Sequence, residues 1–196
     1  MSDTVSEALE PSLPRGTPAA EHVAELLSSS SALLSLSLDE ARVVVDYMHP
    51  QHIAADAVFM REGAVDDPYM LFVLDGEVVV ESATPSRVEP QTLCVLGPGQ
   101  LVGEMRLLTN EPRSASCKAN TDILGVVLTQ ASLRELSERH PRIGLRLVLT
   151  ITAQIAERLR ESNRKFKLFG DLTHTMQQEI HRSIRPPGTP AAAPPA

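Results

Sequence analysis

Met70-Leu71-Phe72-Val73-Leu74-Asp75-Gly76-Glu77-Val78-Val79-Val80 reads as an apolar run, a turn and a second apolar run. Asp-Gly accepts the backbone angles of a tight hairpin, and the β-branched residues after it suit a pleated surface. The same rhythm extends outward. Upstream lies Val58-Phe59-Met60; downstream come Leu93 to Leu96, Ala115 to Ala119 and Ile123 to Leu128, divided by Gly63, Gly97-Pro98-Gly99 and Gly103. Short β-rich runs at this spacing over about 52–128 predict a compact antiparallel barrel or jelly roll.

Helical periods flank the barrel. From Ala20 to His49 the apolar residues Val23, Leu26, Leu27, Leu33, Leu34, Leu36 and Leu38, then Val43, Val44, Tyr47 and Met48, predict two short helices, the second capped by Ser37 or Asp39. After Thr129, Ser132 is the expected cap of a short helix that stops at His140-Pro141, because a residue before proline avoids helical angles. A long helix is expected over about 141–169. Its residues Val148, Thr152, Ile155, Leu159, Ser162, Phe166 and Phe169 alternate spacings of 4 and 3, which makes one narrow stripe, a dimer seam or a packing face. Gly170 is expected to break it, with Leu172, Met176 and Ile180 forming a shorter helix over 170–185. Residues 1–20, with Pro11, Pro14 and Pro18, and residues 186–196, only Pro, Ala, Gly and Thr, are expected to be a disordered leader and tail. The fold class is mainly β with flanking helices, a jelly-roll (double-stranded β-helix) barrel plus a long C-terminal helix.

Composition narrows the function. With 196 residues, 42% of them hydrophobic, the chain can bury one sizeable core. Aromatics are 3% and Trp is absent, which leaves little for stacking single-stranded bases. The net charge of −7 disfavours bulk nucleic-acid binding. That total hides an asymmetry: residues 1–133 hold 7 Lys/Arg against 19 Asp/Glu, and residues 134–196 hold 11 against 6. The basic C-terminal part is either a solvated helix face or a dock for an acidic partner. Cys94 and Cys117 sit in apolar runs without paired or metal-type spacing, so neither a disulfide nor a zinc site is expected, and a reducing cytoplasm fits. No apolar stretch approaches a membrane span, and Glu7 and Glu10 stand where a secretory signal is apolar.

The most informative segment is Leu96-Gly97-Pro98-Gly99-Gln100-Leu101-Val102-Gly103-Glu104-Met105-Arg106-Leu107-Leu108, followed by Pro112-Arg113-Ser114-Ala115-Ser116. It offers a turn, a short helical segment with outward amides, a carboxylate at its start and a returning Arg beside two hydroxyls. Helix-start amides plus a guanidinium suit a phosphate, and a neighbouring carboxylate suits a sugar hydroxyl. An anion and a ribose hydroxyl together describe a nucleotide.

These residues resemble the cyclic-nucleotide-binding domains of the catabolite-activator and protein-kinase-A regulatory-subunit superfamily. That family's phosphate-binding cassette reads Gly-Glu-x-Ala/Ser-Leu, a spacer, then Arg-Ser/Ala-Ala-Ser/Thr. Here it is matched by Gly103-Glu104-Met105-Arg106-Leu107 and Arg113-Ser114-Ala115-Ser116, with Arg61-Glu62-Gly63, Asp75-Gly76-Glu77 and Leu96-Gly97-Pro98-Gly99 in register. The resemblance implies that Glu104 binds the ribose 2'-hydroxyl, Arg113 pairs with the cyclic phosphate, Gly103 admits the sugar to the backbone, and Ser114, Ala115 and Ser116 complete the cradle. It places Ser162 and Asn163 at base-contacting positions of the long helix, so that a domain over 21–165 would bind cyclic AMP or cyclic GMP, with no other cofactor. One departure stands out: Arg106 replaces the family's small residue, and it either obstructs a mononucleotide, contacts a further phosphate or turns into water.

The expected function is a non-catalytic sensor, dimeric through the long helix. It would signal to a protein partner through Phe166, Leu168, Phe169, Met176 and Ile180, with no DNA-binding domain and no membrane contact. Alternatives are a ligand-free dimerisation or interaction scaffold, in which Glu104 and Arg113 form an internal ion pair, and a binder of cyclic dinucleotides, for which Arg160 and Arg164 have a suggestive spacing. No catalytic residues are expected, since Ser114, Ser116 and His140 make no nucleophile–base arrangement. Nor is a metal site, since His49 and His52 lack further ligands nearby in sequence.

Overall fold

Strand β4 (Val78–Ser82) pairs antiparallel with two neighbours at once, so Val80 stands opposite Cys94 on one side and Cys117 on the other. The structure, a computed structural model, describes residues 11–28, 36–83, 90–109 and 111–184. Among the described residues, eight strands form two antiparallel sheets. One has the order β1 (His49–Ile53), β8 (Ile123–Thr129), β3 (Tyr69–Asp75), β6 (Leu101–Val102); the other runs β2 (Val58–Met60), β7 (Ser116–Ala119), β4, β5 (Gln91–Leu96). The jelly-roll-like sandwich is the observed architecture, but the hairpin expected at Asp75-Gly76 is not. Strand β3 pairs with β6 and β8, and β4 with β5 and β7, so this tight turn carries the chain from one sheet to the other. In this turn Gly76 has φ 91°, and a Cβ there would lie 2.3 Å from the Asp122 carbonyl oxygen.

Alternation places the core. Tyr69, Leu71 and Val73 of β3 meet Phe59, Met60, Val78, Leu96, Cys117 and Ala119 of the facing sheet. Met70 and Phe72 of β3 are buried as well, on the opposite side of the strand. Burial on both faces explains why Met70 to Leu74 is continuously apolar rather than alternating. Two strands lack the signal of an extended apolar run. β1 carries His49, Pro50, Gln51 and His52, and a proline is tolerated there because β1 is a sheet edge; β6 is only two residues long. Because β4 runs between Cys94 and Cys117, their Cα atoms are about 10 Å apart across two strand spacings, beyond the ~7 Å Cα separation a disulfide spans.

The helices are α1 (Pro18–Ser28), α2 (Leu38–Val45), α3 (Glu104–Leu108), α4 (Gln130–Arg139) and α5 (Pro141–Ile184). Three expectations need correction. Pro18 to Ala20 open α1 rather than belonging to a leader. The cap of α4 is Thr129, whose Oγ accepts the Ser132 amide at 3.0 Å, so Ser132 is the capped residue instead of the cap. Gly170 does not break the last helix: α5 runs unbroken to Ile184, because one glycine weakens a helix by only about 1 kcal/mol without removing a hydrogen bond. Leu33 and Leu34, residues 1–10 of the leader, and the tail 186–196 lie outside the described residues. No helix among the described residues is long and apolar enough to cross a membrane.

The described chain divides after Thr152 into two units. In the first, α5 contributes the buried Leu147, Thr150 and Ile151. The second is the remainder of α5, on which Leu159, Phe166, Leu168, Phe169 and Met176 are each at least 60% exposed.

Ser37 caps α2 through a complete capping box: its hydroxyl accepts the Glu40 amide, and the Glu40 carboxylate accepts the Ser37 amide at 2.9 Å. Glu40 also pairs with Arg146 of α5. The Glu40 carboxyl is held below the ordinary carboxylate range, first by the Ser37 amide it accepts and further by Arg146, against the opposing effect of partial burial. A carboxyl depressed on folding stabilises the native state above the ordinary carboxylate range and loses that contribution as pH falls through its folded value. Ser37→Ala is expected to cost about 1 kcal/mol. Glu40→Gln should be less stable than the parent at neutral pH, with the gap narrowing in acid; urea unfolding midpoints at both pH values check this.

Candidate functional site

The segment from Gly103 to Ser116 folds so that its two halves meet. Gly103 precedes α3 with φ 80°, a left-handed conformation that turns the chain from β6 directly into the helix. A Cβ there would come within 2.6 Å of the Met60 methyl and 2.7 Å of Arg113 Nη1. Gly103 brings no side-chain cap, and first-turn helix amides have no intrahelical acceptor. Glu104 opens the helix and is only 6% exposed, whereas the next side chain, Met105, is 51% exposed.

Arg113 returns from the loop before β7. Its amide donates to the Ala64 carbonyl at 3.0 Å and its own carbonyl accepts from Gly63 at 2.8 Å, which ties this loop to the β2–β3 connection. The side chain is 3% exposed. Nε and Nη2 donate to the two carboxylate oxygens of Asp66 at 3.1 and 2.9 Å; Nη1 donates to the carbonyls of Tyr69 at 2.9 Å and Gly103 at 3.4 Å. The guanidinium also lies over the Tyr69 ring, its Cζ 4.4 Å from the centroid. Tyr69 is itself fixed, its hydroxyl donating to the Phe59 carbonyl at 2.8 Å. The guanidinium is thus set in place from below, beside, and along its edge.

Arg106 does not turn into water: it is 6% exposed, and its Nε lies 3.0 Å from Asp66 Oδ1. Nε and Nη2 also donate to the Asp66 carbonyl, and Nη1 to the Glu111 carbonyl at 2.9 Å. Asp66 therefore sits between two arginines. Ser114 is exposed, its hydroxyl donating to the Met105 sulfur at 3.4 Å; Ala115 is half-buried, and the half-buried Ser116 accepts the Glu62 amide at 3.0 Å. Ser162 and Asn163 are exposed on α5, in the second unit.

Sequence reading missed Asp66 and Tyr69, the residues that aim Arg113. No short-range pattern marks them, since Asp66 lies 47 positions from Arg113. A second feature is the row Met60, Cys117, Val80, Cys94 across the β2–β7–β4–β5 sheet. It starts at Met60, against which Gly103 is packed, and ends at Val80 and Cys94, which lie against the core only partly buried. An apolar wall thus leads away from the cassette.

Comparison with known proteins agrees with this geometry. Residues 50–140 match the family model described as the cyclic nucleotide-binding domain. A cyclic nucleotide-gated potassium channel of Rhizobium etli is 37% identical over 102 residues, 52% of this chain and 26% of the channel. The chain thus spans about a quarter of the length of the curated relatives it first matches. Among solved structures, a cyclic nucleotide-binding domain from Methylobacillus flagellatus superposes with a TM-score of 0.70 at 28% identity, covering 75% of this chain and 82% of that one. The catabolite activator protein of Thermus thermophilus gives 0.57 at 27%, covering 69% and 61%. The match places a cyclic nucleotide-binding domain over residues 50–140, the part of the chain that carries the sandwich and the Gly103–Ser116 segment.

Gly103→Ala is expected to lose at least ~1 kcal/mol from the left-handed backbone alone and to displace Arg113. Thermal unfolding reads the first effect, and altered NMR shifts of the Tyr69 ring read the second.

Proposed function

We propose that this chain is a non-catalytic cyclic-nucleotide sensor acting in the cytoplasm. The phosphate of cyclic AMP or cyclic GMP meets Arg113 and the amides around Ser114 and Ala115. Glu104 takes the ribose hydroxyl, and the open end of the Val80 and Cys94 row receives the apolar face of the ligand. What supports this reading above all is a buried guanidinium, oriented by Asp66, Tyr69 and Gly103, beside a buried carboxylate at the start of a short helix. Burying such groups is costly unless each has partners, and a cluster of them at one spot in an otherwise apolar core is where a polar ligand is sought. Because a ligand shifts an equilibrium only through unequal contacts with two states, the output is assigned to α5. Its stripe through Leu159, Phe166 and Phe169 is exposed and suits a second copy of the helix or a protein partner.

A second reading is favoured by one observation: Asp66 already engages Arg113 along the guanidinium edge that a phosphate would use. On that reading the domain is a ligand-free scaffold. Calorimetric titration with cyclic AMP, cyclic GMP and cyclic-di-GMP separates the two. Binding of a cyclic mononucleotide supports the sensor, heat only with the dinucleotide moves the ligand class, and silence to all three leaves the scaffold.

Arg113→Lys keeps the charge but loses the fork that holds Asp66. It is expected to weaken nucleotide binding about tenfold or more, the worth of a charge-assisted hydrogen bond of ~1.5–3 kcal/mol. Arg113→Ala is a poorer test, because an unpaired buried ion costs ~3–5 kcal/mol of stability. For the helix, Phe166→Glu should convert a dimer to a monomer in sedimentation equilibrium, while a parent already monomeric at all concentrations removes the dimer from the proposal.

A further inference from the structure

We propose that Arg106 is the charge-setting residue of the phosphate site: by sharing the Asp66 carboxylate, it keeps Arg113 electrostatically available to an anion. The inference rests on the nucleotide reading above and adds a residue that the family's cassette does not contain. Arg113 gives two donors to Asp66, and Arg106 Nε approaches the same carboxylate at 3.0 Å. The three side chains are between 2% and 12% exposed, so water screens them poorly. Their formal charges at pH 7 sum to +1. Without the cation at 106, Asp66 would cancel Arg113 and the sum would be zero. Counting Glu104, buried at the start of α3, lowers each sum by one, to zero with the cation and to −1 without it, and the latter opposes a phosphate.

Geometry separates this role from direct ligand contact. Arg106 directs Nε and Nη2 to the Asp66 carbonyl and Nη1 to the Glu111 carbonyl, so its donors are spent on the protein. It acts on a ligand through Asp66, as a positioning and charge-balancing group. A unit charge about 10 Å from a phosphate, at an effective dielectric constant of ~20, changes affinity about tenfold. The site should therefore discriminate by ligand charge more sharply than a cassette with a small residue at this position.

Two probes test this, cyclic AMP and inorganic sulfate, each followed by the NMR signals of the Tyr69 ring beneath Arg113. Arg106→Gln, neutral but still able to donate a hydrogen bond, is expected to weaken both about tenfold. Arg106→Lys, which keeps the charge and loses the fork, should stay within about threefold of the parent. Asp66→Asn placed in the Arg106→Gln background restores a sum of +1 while leaving Arg113 an acceptor, and should regain most of the lost affinity. A lysine variant as weak as the glutamine variant, or a double variant no better than Arg106→Gln alone, would show Arg106 to be a loop staple and overturn the proposal. So would absence of any sulfate response in the parent. Sulfate affinities that follow the charge order in a protein indifferent to cyclic AMP would reject the nucleotide reading and support the role of Arg106. Cyclic AMP affinities unchanged across the series would do the reverse.

Discussion

The Asp66 carboxylate, held between Arg113 and Arg106, is the interaction on which the site depends. A guanidinium buried to 3% exposure cannot be left with unpaired donors, and Asp66, Tyr69 and Gly103 supply its acceptors. Those same acceptors tie three separate segments together: the loop before β3, the strand β3 itself, and the turn into α3. The proposed phosphate-binding group is therefore also a structural cross-link. Replacing it with apolar side chains of similar size would probe how much of the fold needs the ions at all, since buried pairs are often no more stabilising than a packed core.

The barrel serves this arrangement by geometry. Strand pairing fixes the order Met60, Cys117, Val80, Cys94 along one inner row, and Met60 lies where a side chain on Gly103 would have to go. The cassette is thereby seated on the sheet at one end of the row, while the other end stays incompletely covered. In the facing sheet β3 is buried on both sides, and Tyr69, whose ring and carbonyl meet Arg113, is the first residue of that strand.

Much of the fold was legible because it rests on local chemistry. The Asp75-Gly76 turn and the apolar runs beside it marked β3 and β4, and Ser37 or Asp39 marked the start of α2, where the structure selects Ser37. The cassette residues were legible as a family resemblance in which Glu104 and Arg113 keep fixed spacing. What escaped had no local signal. β1 is a polar edge strand whose place is set by pairing with β8, and the continuity of α5 through Gly170 reflects how little a single glycine perturbs a long helix.

By itself, the sequence determined the class of the fold and the resemblance to the cyclic nucleotide-binding domains, since hydrophobic period, turn chemistry and motif spacing act between residues near one another along the chain. Only the tertiary structure decided what Arg106 does and what Arg113 leans on. Both answers lie in Asp66, 40 and 47 residues away, and the energy of a buried charge is set by whichever groups the folded chain places within a few ångströms of it.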